Sequence, residues 1–415
     1  MNLQSCRKLE HGRCVPPEET VARLEAMLSA RHAYWIHQEQ VHDLLHWSAL
    51  FLDDDPAFRA MGKGVTAAMS RAGALAEAAE SLTALPVEAL PGYRFAPEEE
   101  VENALTFAEL LPHIASATPA VLARIRRLEA AQHWARGVSL LDGREVMVPV
   151  EYVRQISGPS GRASGNRIEE AVVHAAAEIF ERRAHVTVLR NRMVVPTIDP
   201  ASLRHPVILR QLEFVRARGI EVVLKDLSFG GALPCVGAYS RDPAIPPDWQ
   251  FNHFFKVGAS FDREEALVRV LTEYTQGRRA DDFIAGRPGE VERVLQADFR
   301  RLRTAGDDCD HFLTAFMFGM VPYRDASFLL EGDVVSFDPG VRHDNCLSDI
   351  ADARAVCAKL GRNLIAVDFT DPAAGFPVVQ LIIPGYSDVL PFHPPSSPVL
   401  FRPVTRSEAM KGFGP

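Results

Sequence analysis

Three segments of this chain repeat one pattern: small or apolar residues, then a glutamate, then Glu or Gln three positions on. The first reads Ala74-Leu75-Ala76-Glu77-Ala78-Ala79-Glu80, the second Ala175-Ala176-Ala177-Glu178-Ile179-Phe180-Glu181, and the third Val270-Leu271-Thr272-Glu273-Tyr274-Thr275-Gln276. A glycine-bearing turn is expected upstream of each, at Gly62-Lys63-Gly64, Ser164-Gly165-Asn166 and Gly258-Ala259-Ser260. From the last Gly to the first Glu the distance is 13, 13 and 15 residues. A loop-then-helix unit used three times implies an internally repeated fold, spaced far more widely than a solenoid. Residues three or four apart share a helix face. Three such helices meeting at one place would gather the carboxylate oxygens that a Mg²⁺-nucleotide site needs.

One amphipathic helix with a solvated acidic stripe would explain any single copy. It does not explain why small or apolar residues flank the glutamate in all three. In the second copy, at 100° per residue, Glu170, His174, Glu178 and Glu181 fall within about 80° of one another. Packed together, Glu77, Glu80, Glu170, Glu178 and Glu181 would repel one another without cations. Arg182 and Arg278 each follow a repeated Glu/Gln pair and are placed to meet a phosphate. Gly62-Lys63-Gly64-Val65-Thr66 lacks Walker A spacing, and no GxGxxG is present, so a nucleotide site here is of another type.

The 415 residues allow one large domain or two to three smaller ones. The composition, 47% hydrophobic and 24% charged, is globular, and the net charge of −9 argues against a nucleic-acid protein. Met1 to Val15 has no apolar core and no apolar run is long enough to span a bilayer, so neither a signal peptide nor a membrane span is expected. None of the six cysteines forms a CxxC pair, which argues against structural zinc, and scattered thiols suit the cytoplasm.

Helices are expected at Pro17 onward, 67–82, in two segments over 105–132, at 167–184, 206–219, 262–278, over most of 286–327, and at 349–360. Strands are expected over 138–153 with a hairpin turn at Leu141 to Glu145, and at 185–189, 193–198, 220–227, 235–239, 364–369 and 378–383. Residues 85–97 are expected to be irregular, and 391–415 to be a Pro-rich tail. Intermixed helices and strands make the class α+β, or mixed α/β. Weaker features have ordinary readings. His42 and His46, four apart on an expected helix, could hold a metal but pair more readily with Glu39 and Asp43. Asp308, Asp310 and His311 read as a solvated acidic loop. Cys346 near His343 could mimic a dyad without its remaining members. Trp47 and Trp134 read as core.

Taken in order, the motifs resemble the YcaO family. Ser164-Gly165-Asn166-Arg167-Ile168-Glu169-Glu170-Ala171, continuing to Glu178-Ile179-Phe180-Glu181-Arg182, is similar to its SGNxxEEAxxxAxxExxER signature. Gly62-Lys63-Gly64 with Glu77 and Glu80 resembles an earlier segment. Ser139 to Gly143 with Val148-Pro149 resembles the strand before the signature, Leu267 to Arg278 a later helix, and Phe376 to Val379 with Ile383-Pro384-Gly385 the closing strand. The resemblance runs over 13–390, leaving 391–415 as a tail. It implies a YcaO-like fold whose Glu-bearing helices converge on Mg-ATP, with phosphorylation of a peptide backbone amide oxygen. Attack by a nucleophile and loss of phosphate would follow. By position it implies Mg²⁺ at Glu77, Glu178 and Glu181, and nucleotide or metal contacts from Arg13, Thr20, Glu80, Asn166, Glu170, Arg182 and Arg278; no catalytic residue is assigned. Gly73 stands where members often have Ser, and Gly158 to Gly161 suggests a longer or freer loop before the signature.

The resemblance to stand-alone members implies a separate partner and a possible homodimer. Thioamide formation with a TfuA-like partner is the leading expectation. The alternatives are azoline formation on Cys, Ser or Thr with a ThiF-like leader-binding partner, to which the terminal Pro415 is compatible, and a silent subunit that binds peptide or partner only. Retention of the carboxylates and both arginines favours an enzyme.

Overall fold

The computed structural model describes residues 1–55, 58–111, 131–245, 252–276, 319, 321 and 326–387. Its helices are α1 (Pro17–Ser29), α2 (Ala67–Thr83), α3 (Phe107–Leu110), α4 (Val150–Ser157), α5 (Ile168–Asn191), α6 (Pro206–Arg216), α7 (Arg263–Glu273), α8 (Ser327–Leu330) and α9 (Cys346–Lys359). Its strands are β1 (Tyr34–His42), β2 (Leu45–Leu52), β3 (Arg59–Gly64), β4 (Arg94–Ala96), β5 (Gln132–Ser139), β6 (Glu145–Pro149) and β7 (Arg162–Ser164). After these come β8 (Thr197–Ile198), β9 (Glu221–Asp226), β10 (Cys235–Arg241), β11 (His253–Ala259), β12 (Val334–Val335), β13 (Ile365–Asp368) and β14 (Val378–Ile382). Helices and sheets are mixed along the chain, as the α+β reading expects.

The chain forms two compact units, each built from separated stretches. The first comprises Met1–Lys8, Glu80–Arg183 and His343–Pro415. Its antiparallel sheet has the order β4-β5-β13-β14-β7, with β6 also on β5. Trp134, Val148, Tyr152, Phe369, Val378 and Ile382 fill its core, and the indole N–H of Trp134 donates to the Ala96 carbonyl at 2.8 Å. The N-terminal stretch is tied in by main-chain bonds from Lys8 to Asp344 (2.7 Å) and from Cys346 to Cys6 (2.9 Å).

The second unit comprises Leu9–Ala79 and Ala184–Arg342. It holds an antiparallel β1-β2-β3 sheet and a sheet ordered β11-β10-β9-β8-β12, in which β8 and β12 are parallel. Helix α7 packs on β10 and β11. Its apolar face, Ala266, Leu267, Val270 and Leu271, joins Ile208, Leu212 and Leu224 in one core, while Leu45, Trp47, Phe214 and Phe254 form another. Trp47 and Trp134 are both core residues, as expected.

Several expectations are corrected. His42 and His46 are not on a helix: His42 ends β1 and His46 lies on β2. The His42 ring lies 4.3 Å from that of Phe214, and His46 Nε2 is 3.3 Å from the Asp43 carbonyl. The run of aromatic and β-branched residues across 34–52 suits a hairpin. His185 to Leu189 is not a strand but the continuation of α5 to Asn191. Gly62-Lys63-Gly64 and Gly258 are strand ends, not turns. Residues 150–157 are helical rather than extended. Cys6 and Cys346, 340 positions apart, bring their sulfur atoms within 4.8 Å, so the absence of CxxC spacing did not keep cysteines apart. Residues 112–130 and most of 286–327, with Asp308, Asp310 and His311, lie outside the described residues, as does the tail.

Candidate functional site

The threefold repeat is a strand that runs directly into a helix: β3 to α2, β7 to α5, and β11 to α7. The glycine recurs because the following helix lies almost on the strand backbone. A Cβ on Gly165 would stand 2.7 Å from the Ala171 amide nitrogen, and one on Gly258 would stand 2.6 Å from the Ala266 carbonyl. At Gly62 the added carbon would run into the Ser70 carbonyl and the Ala74 nitrogen. Gly73 faces Gly62, with its own Cβ position 3.1 Å from the Gly62 Cα. The missing serine hydroxyl at Gly73 therefore coincides with two backbones in close approach.

In the first unit, Asn166 precedes α5 and Glu169 and Glu170 occupy its first turn; all three are buried. Carboxylates there complement the helix dipole. Glu169 accepts from the Gln4 amide at 2.5 Å. Two turns on, Glu178 is held at both oxygens. Gly161 N–H donates to Oε2 at 2.8 Å, and Arg182 Nη2 reaches Oε1 at 3.5 Å. Glu181 lies one turn along on the same helix. Burial pushes the Glu178 pKa up and Glu181 adds to this, against the opposing pull of Arg182 and the Gly161 amide. A second cation stands in the same unit: Arg162 lies over the Phe369 ring at 4.5 Å. Burial lowers its pKa, while the charge of Glu80 works to raise it.

In the second unit, Arg13 is half-buried just before α1, and Thr20 lies in the first turn of α1 with its hydroxyl donating to the Pro16 carbonyl at 3.2 Å. Glu77 is exposed on α2; Glu80, one turn further along that helix, is half-buried and belongs to the first unit. Glu273, the first acid of the third repeat, pairs with Lys63 of Gly62-Lys63-Gly64. Arg278 lies outside the described residues. The structure thus brings Glu178, Glu181 and Arg182 together on α5, sets Asn166 and Glu170 at the start of that helix, and places Arg13, Thr20 and Glu77 in the second unit.

Sequence reasoning missed four groups. Lys63 stood inside a quoted motif but was not given a role. Arg162 and the Gly161 amide lie four and five residues before the signature's Asn166. Glu169 was visible only as half of a Glu-Glu doublet. The donor set suits the expected cation: carboxylate oxygens are the hard ligands Mg²⁺ prefers, and the half-buried Glu178, with Glu181 near it, is relieved by positive charge.

A family model described as "YcaO cyclodehydratase, ATP-ad Mg2+-binding" matches residues 61–387. The Escherichia coli "Ribosomal protein S12 methylthiotransferase accessory factor YcaO" is 26% identical over 254 residues, covering 60% of this chain and 40% of that protein. An "Uncharacterized protein in tfuA 3'region" of Rhizobium leguminosarum is 28% identical over 276 residues, covering 61% and 60%. The chain thus spans less than two thirds of the length of these relatives. Among solved structures, a "Heterocyclase in complex with substrate and Cofactor" superposes with a TM-score of 0.69 at 18% identity, covering 93% of this chain and 54% of that one. The structure of YcaO from Methanopyrus kandleri, bound with AMPPCP and Mg²⁺, gives 0.63 at 18% identity, covering 92% and 95%. Both likenesses concern the fold.

Proposed function

The chain belongs to the YcaO family, and from that premise we propose that it activates a backbone amide of a peptide by ATP-dependent O-phosphorylation. The observation that carries the reading is Glu178, a half-buried carboxylate held by Gly161 and Arg182 on the helix that also bears Glu170 and Glu181 and that Asn166 precedes. In this reading Glu77, Glu178 and Glu181 hold Mg²⁺, and Arg13, Thr20, Glu80, Asn166, Glu170, Arg182 and Arg278 contact the nucleotide or its metals. Mg-ATP supplies a phosphoryl group that turns the amide oxygen into a leaving group. Arg182, with cations that the carboxylates would hold, would offset the charge that shifts onto the phosphates. The functional domain is read as 13–390 and the Pro-rich 391–415 as a tail.

Thioamide formation with a separate TfuA-like partner is the preferred product class, supported by the tfuA-linked name of the Rhizobium relative. Azoline formation with a ThiF-like partner is the second reading, supported by the heterocyclase neighbour. Among the described residues no helix is long and apolar enough to cross a membrane. Six cysteines scattered along the chain with no CxxC pair fit a reducing, cytoplasmic setting.

Calorimetry of ATP binding with and without Mg²⁺, on the intact chain and on Glu178→Gln/Glu181→Gln, tests the reading. Mg²⁺-dependent binding that the double variant loses is the expected result. No binding by the intact chain, with a candidate partner present, would leave only a silent peptide- or partner-binding subunit.

A further inference from the structure

The loop between α4 and β7 is fixed by more bonds than its glycines suggest. Gly158 N–H donates to the Arg154 carbonyl at 2.9 Å, Ser160 N–H to Ser157 at 3.2 Å, and Arg162 N–H to Pro159 at 3.0 Å. On its far side the loop is pinned to β14: Leu381 N–H donates to the Gly161 carbonyl at 2.7 Å. The Gln380 side-chain amide donates to the Ser160 carbonyl at 2.9 Å. Gln380 is the only polar residue of Val378–Ile382, a strand buried along its whole length. A polar amide kept in such a strand must make its hydrogen bonds there, and its Nε2 makes them to Ser160 and to Leu381.

The output of this loop is the Gly161 N–H that meets Glu178 Oε2 at 2.8 Å. No larger residue fits at 161. Its φ is +82°, and a Cβ would stand 2.6 Å from the Leu381 carbonyl and 3.0 Å from Ile179 Cδ1. A chain of fixed groups therefore runs from β14 through Gln380, Ser160 and Gly161 to one oxygen of Glu178. The other oxygen stays toward Arg182.

We propose that Gln380 is a positioning residue for the metal-binding carboxylate: its amide locks the 158–161 loop so that the Gly161 N–H holds Glu178 in one orientation. This rests on the reading of Glu178 as a Mg²⁺ ligand. Hydrogen bonds behind a ligating group fix its direction, and their loss weakens metal binding by about 10- to 100-fold. Gln380 bonds to the Ser160 and Leu381 carbonyls and acts on Glu178 through the loop, so its effect is on metal affinity.

The test is the Mg²⁺ concentration that half-saturates ATP binding, followed by calorimetry, for the intact chain, Gln380→Met, Pro159→Gly and Glu178→Gln. Gln380→Met keeps the length of the side chain and removes the donor. Pro159 is exposed, so Pro159→Gly frees the loop without opening the core and decides the matter where Gln380→Met does not fold. The expected result is a half-saturation point raised about tenfold or more in Gln380→Met, raised less in Pro159→Gly, and restored binding at high Mg²⁺ in both. An unchanged half-saturation point in the folded variants, alongside loss of binding in Glu178→Gln, overturns the role of Gln380 and leaves the Mg-ATP reading standing. Unchanged Mg²⁺ dependence in Glu178→Gln overturns the metal role of Glu178 and the positioning role with it.

Discussion

Lys8 and Asp349 form an ion pair at 2.6 Å with side chains 7% and 2% exposed. Burial raises the Asp349 pKa, and the Lys8 hydrogen bond and charge oppose that rise. A carboxyl whose folded pKa lies above its usual 3.8 holds more protons folded than unfolded, so stability falls as pH climbs above that value. Lys8→Met removes the opposing partner and should cost about 3–5 kcal/mol near neutral pH. The loss should shrink toward acid, and Lys8→Met/Asp349→Leu should recover much of it, as read from urea midpoints. Lys225 is the converse case. It is fully buried, donates to Thr197 Oγ1 (2.8 Å) and the Glu331 carbonyl (2.6 Å), and burial lowers its pKa to about 8. The unfolded chain binds the proton more tightly, so stability should rise with pH between about 8 and 10.5. Lys225→Met should flatten that rise. Neither residue was singled out in the sequence, because a buried charge is marked by its distant partner and not by its neighbours along the chain.

At the scale of elements, each strand-to-helix unit depends on a glycine where two backbones meet. Gly258→Ala should destabilise by about 1–3 kcal/mol or more, since the clash is with the main-chain carbonyl of Ala266, which cannot rotate away. Gly219→Ala is the control: its φ is +73° with nothing near the added carbon, so only backbone strain of about 1–2 kcal/mol applies. Chemical denaturation of the two variants checks the difference. The repeat itself was legible from Glu and Gly spacing, and α1, α2, α6, α9 and β14 fell close to their expected ranges. The misreadings have definite causes. His185 to Leu189 reads as a strand because short apolar runs suit either structure, yet residues 184–188 are all buried as the inner end of α5. Gly62 and Gly258 read as turns because glycine commonly marks them, whereas here it marks close packing.

At the scale of the whole molecule, the first unit draws on both ends of the chain. Its N-terminal stretch meets α9 through Lys8 to Asp344, Cys346 to Cys6 and Asn345 Nδ2 to Ser5 Oγ at 2.6 Å, and reaches Glu169 through Gln4. A chain starting at Leu9 should show faster amide exchange over 344–359, because those amides lose partners and packing. Unchanged exchange there would show the stretch to be dispensable. The proposed activity is checked at this scale as well. With sulfide, Mg-ATP and partner, a thioamide product shows oxygen exchanged for sulfur by mass spectrometry, and an azoline shows loss of water. The sequence by itself determined the family, the mixed fold class and the glutamates of the repeated helices, since these follow from local spacing and residue type. Only the tertiary structure decided that the repeated glycines are contact points, that Glu178 is held from β14 through Gly161, and that Lys8 neutralises Asp349. Each of those joins groups remote in the chain, and burial, which sets their energies, is a property of the packed molecule.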